Sequence, residues 1–256
     1  MNDWVLITGA SSGIGLELAR CFAADGFPIV LAARHADRLQ KVAAELESKY
    51  RVATRVVPVD LSDPAGPGAL FEAVKNLPIG VLVNNAGFGM FGNFAEQDRR
   101  EQLDMIQVNV TALAELCHRF AGPMRTRGRG RIWNVASVGA FVPGPLVAVY
   151  YATKAFVYSF SLALSDELAP SGVQVSVLCP GTTRTPFFER GRFGPKRAPA
   201  TLEVDVVARL AYRDWKRGRR VIIPGWQYKV LSFMARHAPV WMLLRAVRRF
   251  HSPPRK

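Results

Sequence analysis

Seven short runs rich in Val, Ile and Leu alternate with helix-like segments along most of the 256-residue chain. The helix-like segments include 15–24, 37–48 and 151–168, and each lies between two of the runs. Strands that alternate with helices build βαβ units, in which a parallel sheet is covered by helices on both faces. We therefore predict an α/β fold: a single doubly wound domain with a seven-stranded parallel sheet flanked by helices. The predicted strands are 4–8, 29–33, 52–59, 81–84, 131–136, 173–179 and 220–223.

A glycine-rich segment lies directly between the first predicted strand and the first predicted helix. Glycines at such a junction allow a tight turn and a close approach of the backbone to a pyrophosphate, whose charge the free amides of the helix N-terminus favour. The spacing is not GxGxxG, and an isolated glycine cluster can also be no more than a turn. The segment predicts dinucleotide binding by Gly9, Ser11, Ser12, Gly13, Ile14 and Gly15.

The end of the second predicted strand bears on the choice of cofactor. An acidic residue about 20 residues after the glycines would bind the ribose 2′-hydroxyl of NAD. The run 29–33 ends without a carboxylate, and Arg34 follows at once, with Arg38 one helical turn further on. A guanidinium suits a 2′-phosphate through its charge and its forked hydrogen bonds. The sequence therefore predicts NADPH/NADP+ in preference to NADH/NAD+; the alternative is that Arg34 merely begins a solvated helix.

Polar residues also end the third and fourth predicted strands, at the sheet edge where such folds bind ligands. Asp60, followed by Leu61, can accept a hydrogen bond from an adenine amino group. Asn84 ends the next strand and precedes Ala86 and Gly87, whose small size leaves space for a flat ligand. The alternative for the asparagines is that they only terminate the strand.

Ser137, Tyr150 and Lys154 form a candidate catalytic group. Tyr150 and Lys154 are four residues apart and share a face of a predicted helix, so an ammonium would lie near the phenol. A free tyrosine has a pKa of about 10, and a neighbouring cation favours the phenolate. This would make Tyr150 useful as an acid and base at neutral pH. Tyr151, three residues from Lys154, is a rival that spacing alone does not exclude.

Taken together, these motifs resemble the short-chain dehydrogenase/reductase family from Trp4 to about Ile223. Residues 8–15 match its TGxxxGxG motif, residues 84–87 match NNAG, and Ser137 with Tyr150-x-x-x-Lys154 matches its active site. The family has a Rossmann-like fold and a PG motif after the sixth strand. The resemblance thereby adds Pro180, Gly181, Thr183 and Thr185 to the predicted cofactor-binding residues.

The family resemblance also implies roles for the catalytic residues. Tyr150 would exchange the proton with a substrate carbonyl or alcohol, and Ser137 would hydrogen-bond the same oxygen. Lys154 would hold the nicotinamide ribose and lower the pKa of Tyr150, and Asn109 would secure a water in the proton relay. The implied activity is a reversible NADPH-dependent oxidation and reduction. The alternative is a catalytically silent NADPH-binding regulator or scaffold with the same fold.

Apolar segments indicate the kind of substrate. Residues 138–149 and 88–94 are largely apolar, which predicts a small hydrophobic carbonyl or alcohol unless these segments pack in the core or between subunits. The segment 182–201 is rich in Gly, Pro and Arg and reads as a substrate loop. Its aromatic residues would form a lid, and its basic residues would meet phosphates or an acidic substrate, or remain solvated. These residues are Phe187, Phe188 and Phe193, and Arg184, Arg190, Arg192, Lys196 and Arg197.

The C-terminal segment 226–256 reads as a basic, aromatic helical extension of a catalytic domain that spans 1–225. Its arginines and large apolar residues suit an anionic membrane surface, but they equally suit packing over the substrate cleft or against another subunit. The family resemblance suggests a homodimer or homotetramer.

The remaining composition narrows the classes of partner and location. The net charge of +14 is spread along the chain, and no nucleic-acid-binding module is recognisable, so we expect no nucleic acid partner. The four histidines lack the spacing of metal ligands, so we expect no metal site. Three isolated cysteines and a strand that starts at Trp4, with no room for a secretory signal before it, predict a cytoplasmic protein, with peripheral membrane contact as the alternative.

Overall fold

The computed structural model describes residues 3–187 and 201–252. The strands are β1 (Trp4–Thr8), β2 (Ile29–Ala33), β3 (Thr54–Pro58), β4 (Ile79–Asn84), β5 (Gly130–Val135), β6 (Val173–Leu178), β7 (Thr183–Arg184), β8 (Leu202–Glu203) and β9 (Val221–Ile222). Within the described ranges, seven of them form one parallel sheet in the order β3-β2-β1-β4-β5-β6-β9. The predicted seven-stranded parallel sheet is confirmed.

Helices cover both faces of this sheet because consecutive residues of a buried strand point to opposite sides. Val5 and Ile7 of β1 belong to one apolar cluster, whereas Leu6 belongs to another across the sheet. The helices up to the end of the sheet are α1 (Gly13–Ala24), α2 (Ala36–Tyr50), α3 (Gly66–Val74), α4 (Arg99–Ile106), α5 (Leu113–Thr126), α6 (Ala148–Leu168) and α7 (Val204–Lys216). The first cluster includes residues of α1, α2 and α7, and the second includes residues of α3, α5 and α6.

Two further helices follow the sheet, as the predicted C-terminal extension requires. They are α8 (Trp226–His237) and α9 (Val240–His251), separated at Pro239, which precedes the first residue of α9. Proline is tolerated at the start of a helix, because the first backbone amides of a helix have no partner within it. In a helix interior, the missing amide of proline would cost a hydrogen bond. Among the described residues, no helix combines the length and the apolar character needed to cross a bilayer.

A short strand near the start of the segment predicted as a substrate loop pairs with a strand that follows the segment. β7 and β8 pair in parallel, with Thr183 opposite Leu202 and Arg184 opposite Glu203. This pairing joins the start of the segment to the residues that follow it, which the strand propensities of the residues within the segment do not predict. Phe188, Phe193, Arg190, Arg192, Lys196 and Arg197 lie outside the described residues.

The strand order places a crevice at the middle of the sheet. The chain proceeds from β1 to β2 and β3 on one side, and then from β4 to β5 and β6 on the other. The connections after β1 and β4 therefore leave in opposite directions, and the space between them is where doubly wound sheets bind ligands.

Candidate active site

One cavity of about 600 Å³ lies at the carboxyl ends of the strands. Much of its lining comes from the ends of six neighbouring strands and the segments that follow them, so the topology orders these parts along the edge of the sheet. In the spatial order of the strands β3, β2, β1, β4, β5 and β6, the lining residues lie within 59–62, 32–35, 9–14, 85–89, 135–139 and 180–187. An elongated ligand in this cavity would have one end beside β3 and β2 and the other beside β5 and β6.

Most of the predicted site residues line this cavity. The exceptions are Gly15, Asn84 and Asn109, which lie behind its wall. The residues on the wall are Gly9, Ser11, Ser12, Gly13, Ile14, Arg34, Asp60, Leu61, Ala86, Gly87, Ser137, Tyr150, Lys154, Pro180, Gly181, Thr183 and Thr185.

The loop between β1 and α1 has the shape that a pyrophosphate requires. Gly9 has φ +66° and a Cβ there would lie 2.9 Å from Ala86 Cα, so both its conformation and its neighbour demand glycine. A Cβ at Gly15 would overlap the Asn85 amide and the Gly9 carbonyl. No side chain caps the N-terminus of α1, which leaves its first amides available to an anion. This loop fits a dinucleotide.

Asn85 ties this loop to the end of β4. Its Nδ2 donates to the carbonyl oxygens of Thr8 and Gly9 at 2.9 and 3.2 Å. In return, Thr8 Oγ1 accepts from the amides of Asn85 and Ala86 at 3.0 Å each. The two turns that border the crevice are thus held as one unit.

Asn84 faces away from the cavity, unlike the position expected for a cofactor ligand. It is 2% exposed, and its Nδ2 donates to Asn134 Oδ1 at 2.9 Å and to Cys117 Sγ at 3.2 Å. Asn84 and Asn134 are opposite each other in the register of β4 and β5, so they form a cross-strand polar pair. The geometry gives Asn84 a part in holding the sheet together beneath the site.

Arg34 and Asp60 lie at the β2 and β3 end of the cavity. Asp60 Oδ1 accepts from the amide and the hydroxyl of Ser62 at 2.9 and 2.7 Å. These bonds and the charge of Arg34 outweigh burial and lower the pKa of Asp60. Arg34 is exposed and, among the described residues, has no acidic side chain as an ion-pair partner. Its guanidinium can therefore turn toward an anion in the cavity.

Ser137 and Tyr150 meet at the opposite end, beside β5 and β6. Burial raises the pKa of Tyr150 to about 12, and a hydrogen bond with Ser137 acts in the lowering direction. The phenol is therefore protonated at neutral pH. Burial is the dominant effect on this pKa, and the lowering of it that we expect from Lys154 stays a prediction.

Lys154 is buried beneath Tyr150. Its Nζ donates to the Val135 carbonyl at 2.8 Å and lies 5.8 Å from the centre of the Tyr150 ring. Burial lowers the pKa of Lys154 to about 8. The amine still lines the cavity, so it can reach a ligand there.

Asn109 connects the segment after β4 to the helix that bears Tyr150. It lies in a π-helical turn (Gln107–Ala112), a local widening that often occurs at functional sites. Its Oδ1 accepts from the Phe88 amide at 3.1 Å, and its Nδ2 donates to the Phe88 carbonyl and to Thr153 Oγ1 at 2.9 and 3.0 Å. These bonds fix the position of Phe88 relative to α6.

Tyr151 has a partner of its own. Its hydroxyl lies 2.9 Å from His251 Nε2, at the end of α9, whereas Tyr150 faces Ser137. The structure therefore gives the two tyrosines different environments, although spacing had left them as rivals. Burial raises the pKa of Tyr151 well above its usual range.

Aromatic side chains surround the Tyr150 end of the cavity. Phe187 lies 5.4 Å from Tyr150 between ring centres, and Phe250 of α9 also lines the cavity. The placement of Phe187 agrees with the expected aromatic cover. By contrast, Arg184 is exposed and pairs with Glu203 at 3.3 Å, away from the cavity wall.

Among the residues to which sequence reasoning gave no individual role in this site are Asn85, Phe250 and His251. Asn85 could have been found from the two-residue period of β4, which turns Asn84 inward and leaves the next residue at the strand end. No local sequence pattern marks Phe250 or His251 as part of the site. Both reach it only because α9 packs there, and His251 is 100 residues away from its partner Tyr151 in the sequence.

Comparisons with known proteins agree on one family. A family model described as short chain dehydrogenase matches residues 3–193. A very-long-chain 3-oxoacyl-CoA reductase of Phaeosphaeria nodorum is 37% identical over 180 residues, which cover 68% of this chain and 53% of that protein. A 17-beta-hydroxysteroid dehydrogenase type 3 of Mus musculus is 34% identical over 189 residues, covering 73% and 62%. The chain thus spans about half the length of the reductase it matches.

A solved structure matches the fold over nearly the whole length. A short-chain dehydrogenase from Sphingobium yanoikuyae, in complex with NADPH, has 34% sequence identity and a TM-score of 0.85, with 99% of each chain covered.

Proposed function

We propose an activity on the premise that this chain belongs to the short-chain dehydrogenase family, which the match over residues 3–193 shows. The proposed activity is the NADPH-dependent reduction of a carbonyl on a hydrophobic substrate, or the reverse oxidation of the alcohol. One observation carries it: Ser137, Tyr150 and Lys154 line the same cavity as the uncapped amide cradle at the start of α1.

The cofactor would be held by the residues along the sheet edge. The loop 9–15 fits its pyrophosphate, and Asp60 its adenine. Arg34 would bind the 2′-phosphate of NADPH, which supports the proposed preference for NADPH over NADH. When bound, the nicotinamide supplies or accepts the hydride.

Tyr150 would give its proton to the substrate carbonyl oxygen, while Ser137 hydrogen-bonds the same oxygen. A phenol with a pKa of about 12 is protonated at neutral pH, which suits the proton-donating role in reduction. Lys154 would bind the nicotinamide ribose hydroxyls, and its charge would assist the loss of the Tyr150 proton. Asn109 would position Phe88 and α6 and secure the relay water that the family resemblance implies.

The substrate is proposed to be a hydrophobic ketone. Phe88, Val138, Phe187 and Phe250 line the cavity that Tyr150 borders, and apolar walls are typical of sites for such ligands. The names of the relatives suggest two classes within that description, 3-oxoacyl thioesters and steroids. We place the acyl thioesters first, because relatives so named match with the higher identities.

Steady-state kinetics would test this proposal. The oxidation of NADPH and of NADH is followed with long-chain 3-oxoacyl thioesters, oxo-steroids and bulky aromatic ketones. We expect turnover of at least one class with NADPH preferred. NADPH binding without turnover of any class would instead support the alternative of a regulator, and a preference for NADH would contradict the role proposed for Arg34.

Three expectations from the sequence stay predictions: the homodimer or homotetramer, the cytoplasmic location, and the boundary between a catalytic domain at 1–225 and a tail at 226–256. Light scattering of the purified chain would test the first of these directly.

A further inference from the structure

Helix α8 turns its large apolar side chains outward. Its buried residues are Tyr228, Ser232 and Ala235, which recur at helical spacing on one face. The rest of the helix surface is exposed and largely apolar, which inverts the usual arrangement of a helix on a globular protein. The exposed large apolar residues of α8 are Trp226, Val230, Leu231, Phe233 and Met234, with Trp226 77% and Phe233 67% exposed.

Helix α9 shows the same feature. His251 is its only buried residue, and the other large apolar side chains are exposed or half-buried. Ten of the fourteen exposed large apolar side chains in the described ranges belong to α8 and α9. Those of α9 are Val240, Trp241, Met242, Leu244 and Phe250.

The charged residues of these helices, and of the sequence around them, have one sign. No Asp or Glu follows Asp214 in the sequence, whereas the last 42 residues contain eleven Lys and Arg residues. On α9, Arg245, Arg248 and Arg249 are exposed and share one side of the helix. Apolar residues with tryptophans, beside arginines and without acids, are typical of a helix that lies in the interface of an anionic bilayer.

A second copy of this chain suits the surface less well. A two-fold interface brings the same patch of each copy together, so the arginines of α9 would face a surface of their own sign. Like charges at an interface are unfavourable, whereas anionic lipid headgroups complement them.

We propose that α8 and α9 dock this chain on the surface of an anionic lipid bilayer. The apolar side chains enter the headgroup region and the arginines bind the headgroups. Phe250, which is exposed on α9, also lines the cavity that contains Tyr150. Docking would therefore place the mouth of the cavity beside the bilayer. The docking itself does not depend on the proposed function.

Flotation of the full chain with lipid vesicles tests this docking. One set of vesicles contains phosphatidylcholine alone, and the other contains phosphatidylcholine mixed with phosphatidylglycerol. The apolar variant combines Phe233→Ser and Trp241→Ser, and its matched control combines Phe94→Ser and Leu103→Ser, which are exposed elsewhere. The charge variant and its control are Arg245→Gln, Arg248→Gln and Arg249→Gln, against Lys41→Gln, Arg55→Gln and Arg99→Gln.

We expect the wild type and both controls to float with the anionic vesicles, and more weakly with phosphatidylcholine alone. The apolar variant should lower the partition coefficient about tenfold or more for each side chain removed. The charge variant should lower it about fivefold for each arginine removed. Emission from Trp226 and Trp241 should shift to the blue on binding.

Two results would overturn the proposal. If the apolar variant floats as well as its control, the binding is only adsorption of a protein with a net charge of +14. If the wild type does not float with the anionic vesicles, the proposal fails; a dimer in light scattering that the apolar variant abolishes would then identify the surface as an interface between copies of this chain.

Discussion

Lys154 is a buried lysine whose replacement by methionine tests how the site is built. Its Nζ donates to the Val135 carbonyl, and among the described residues no carboxylate forms an ion pair with it. Burial therefore lowers its pKa from 10.5 to about 8. A buried cation without an ion-pair partner destabilises the folded state, so the candidate active site contains a group that lowers the stability of the protein.

The lowered pKa fixes the sign and the size of the effect on stability. The folded protein holds this proton less tightly than the unfolded chain, so the unfolding free energy is reduced below pH 8. That reduction is relieved as the pH rises from about 8 to 10.5. At about 1.4 kcal/mol per pKa unit, the full reduction is about 3.5 kcal/mol. Roughly 2.5 kcal/mol of it should disappear between pH 7 and pH 10.

Urea unfolding at several pH values measures this directly. The difference in unfolding free energy between the wild type and Lys154→Met removes the contribution of other titrating groups. We expect that difference to shift by about 2.5 kcal/mol in favour of the wild type from pH 7 to pH 10. Lys41→Met, at an exposed lysine, should show a constant difference. If the unfolding free energies of the wild type and Lys154→Met change in parallel with pH, burial does not lower the pKa of Lys154.

Three further changes test other parts of the site. Arg34→Ala should raise the dissociation constant for NADPH about tenfold to a hundredfold, as expected for loss of a charged hydrogen-bonding group, and leave that for NADH nearly unchanged. Fluorescence titration measures both constants, and equal weakening of NADPH and NADH binding would contradict the proposed role of Arg34. Asn85→Ala removes the donor to the Thr8 and Gly9 carbonyls and should lower the unfolding free energy by about 1–3 kcal/mol while weakening NADPH binding. Urea unfolding and the same titration check it, and unchanged values would count against the link between the two turns. His251→Phe retains an aromatic ring but removes the bond to Tyr151, so hydrogen exchange should become faster in α9 and not in α6; equal exchange in the wild type and the variant would show that this bond does not hold α9.

The sheet and its binding edge could be predicted because each depends on local patterns. Apolar runs such as 29–33 are long enough to mark a strand, and the glycines at 9–15 mark the turn that follows one. The strand order then brings the ends of all these strands together. Asn84 shows the limit of such patterns, because only the register of β4 against β5 reveals that Asn134 is its partner.

Contacts distant in sequence were beyond local prediction. Spacing placed both Tyr150 and Tyr151 one turn from Lys154, and the family resemblance chose Tyr150. No local pattern revealed that Tyr151 bonds His251 at the far end of the chain. The pKa of Lys154 likewise depends on the residues that bury it. The spacing of Lys154 and Tyr150 along the helix does not reveal that Lys154 bonds the carbonyl of Val135. These features arise from tertiary packing.

Tyr150 is proposed as the proton donor, and a matched pair of variants tests this role. Tyr150→Phe and Tyr151→Phe each remove one hydroxyl from neighbouring positions of α6. For both variants, NADPH affinity is measured by titration and turnover is measured with a ketone that the wild type reduces. We predict that Tyr150→Phe binds NADPH nearly as the wild type does and loses turnover, whereas Tyr151→Phe retains turnover. Retained turnover in Tyr150→Phe, or its loss only in Tyr151→Phe, would contradict the account.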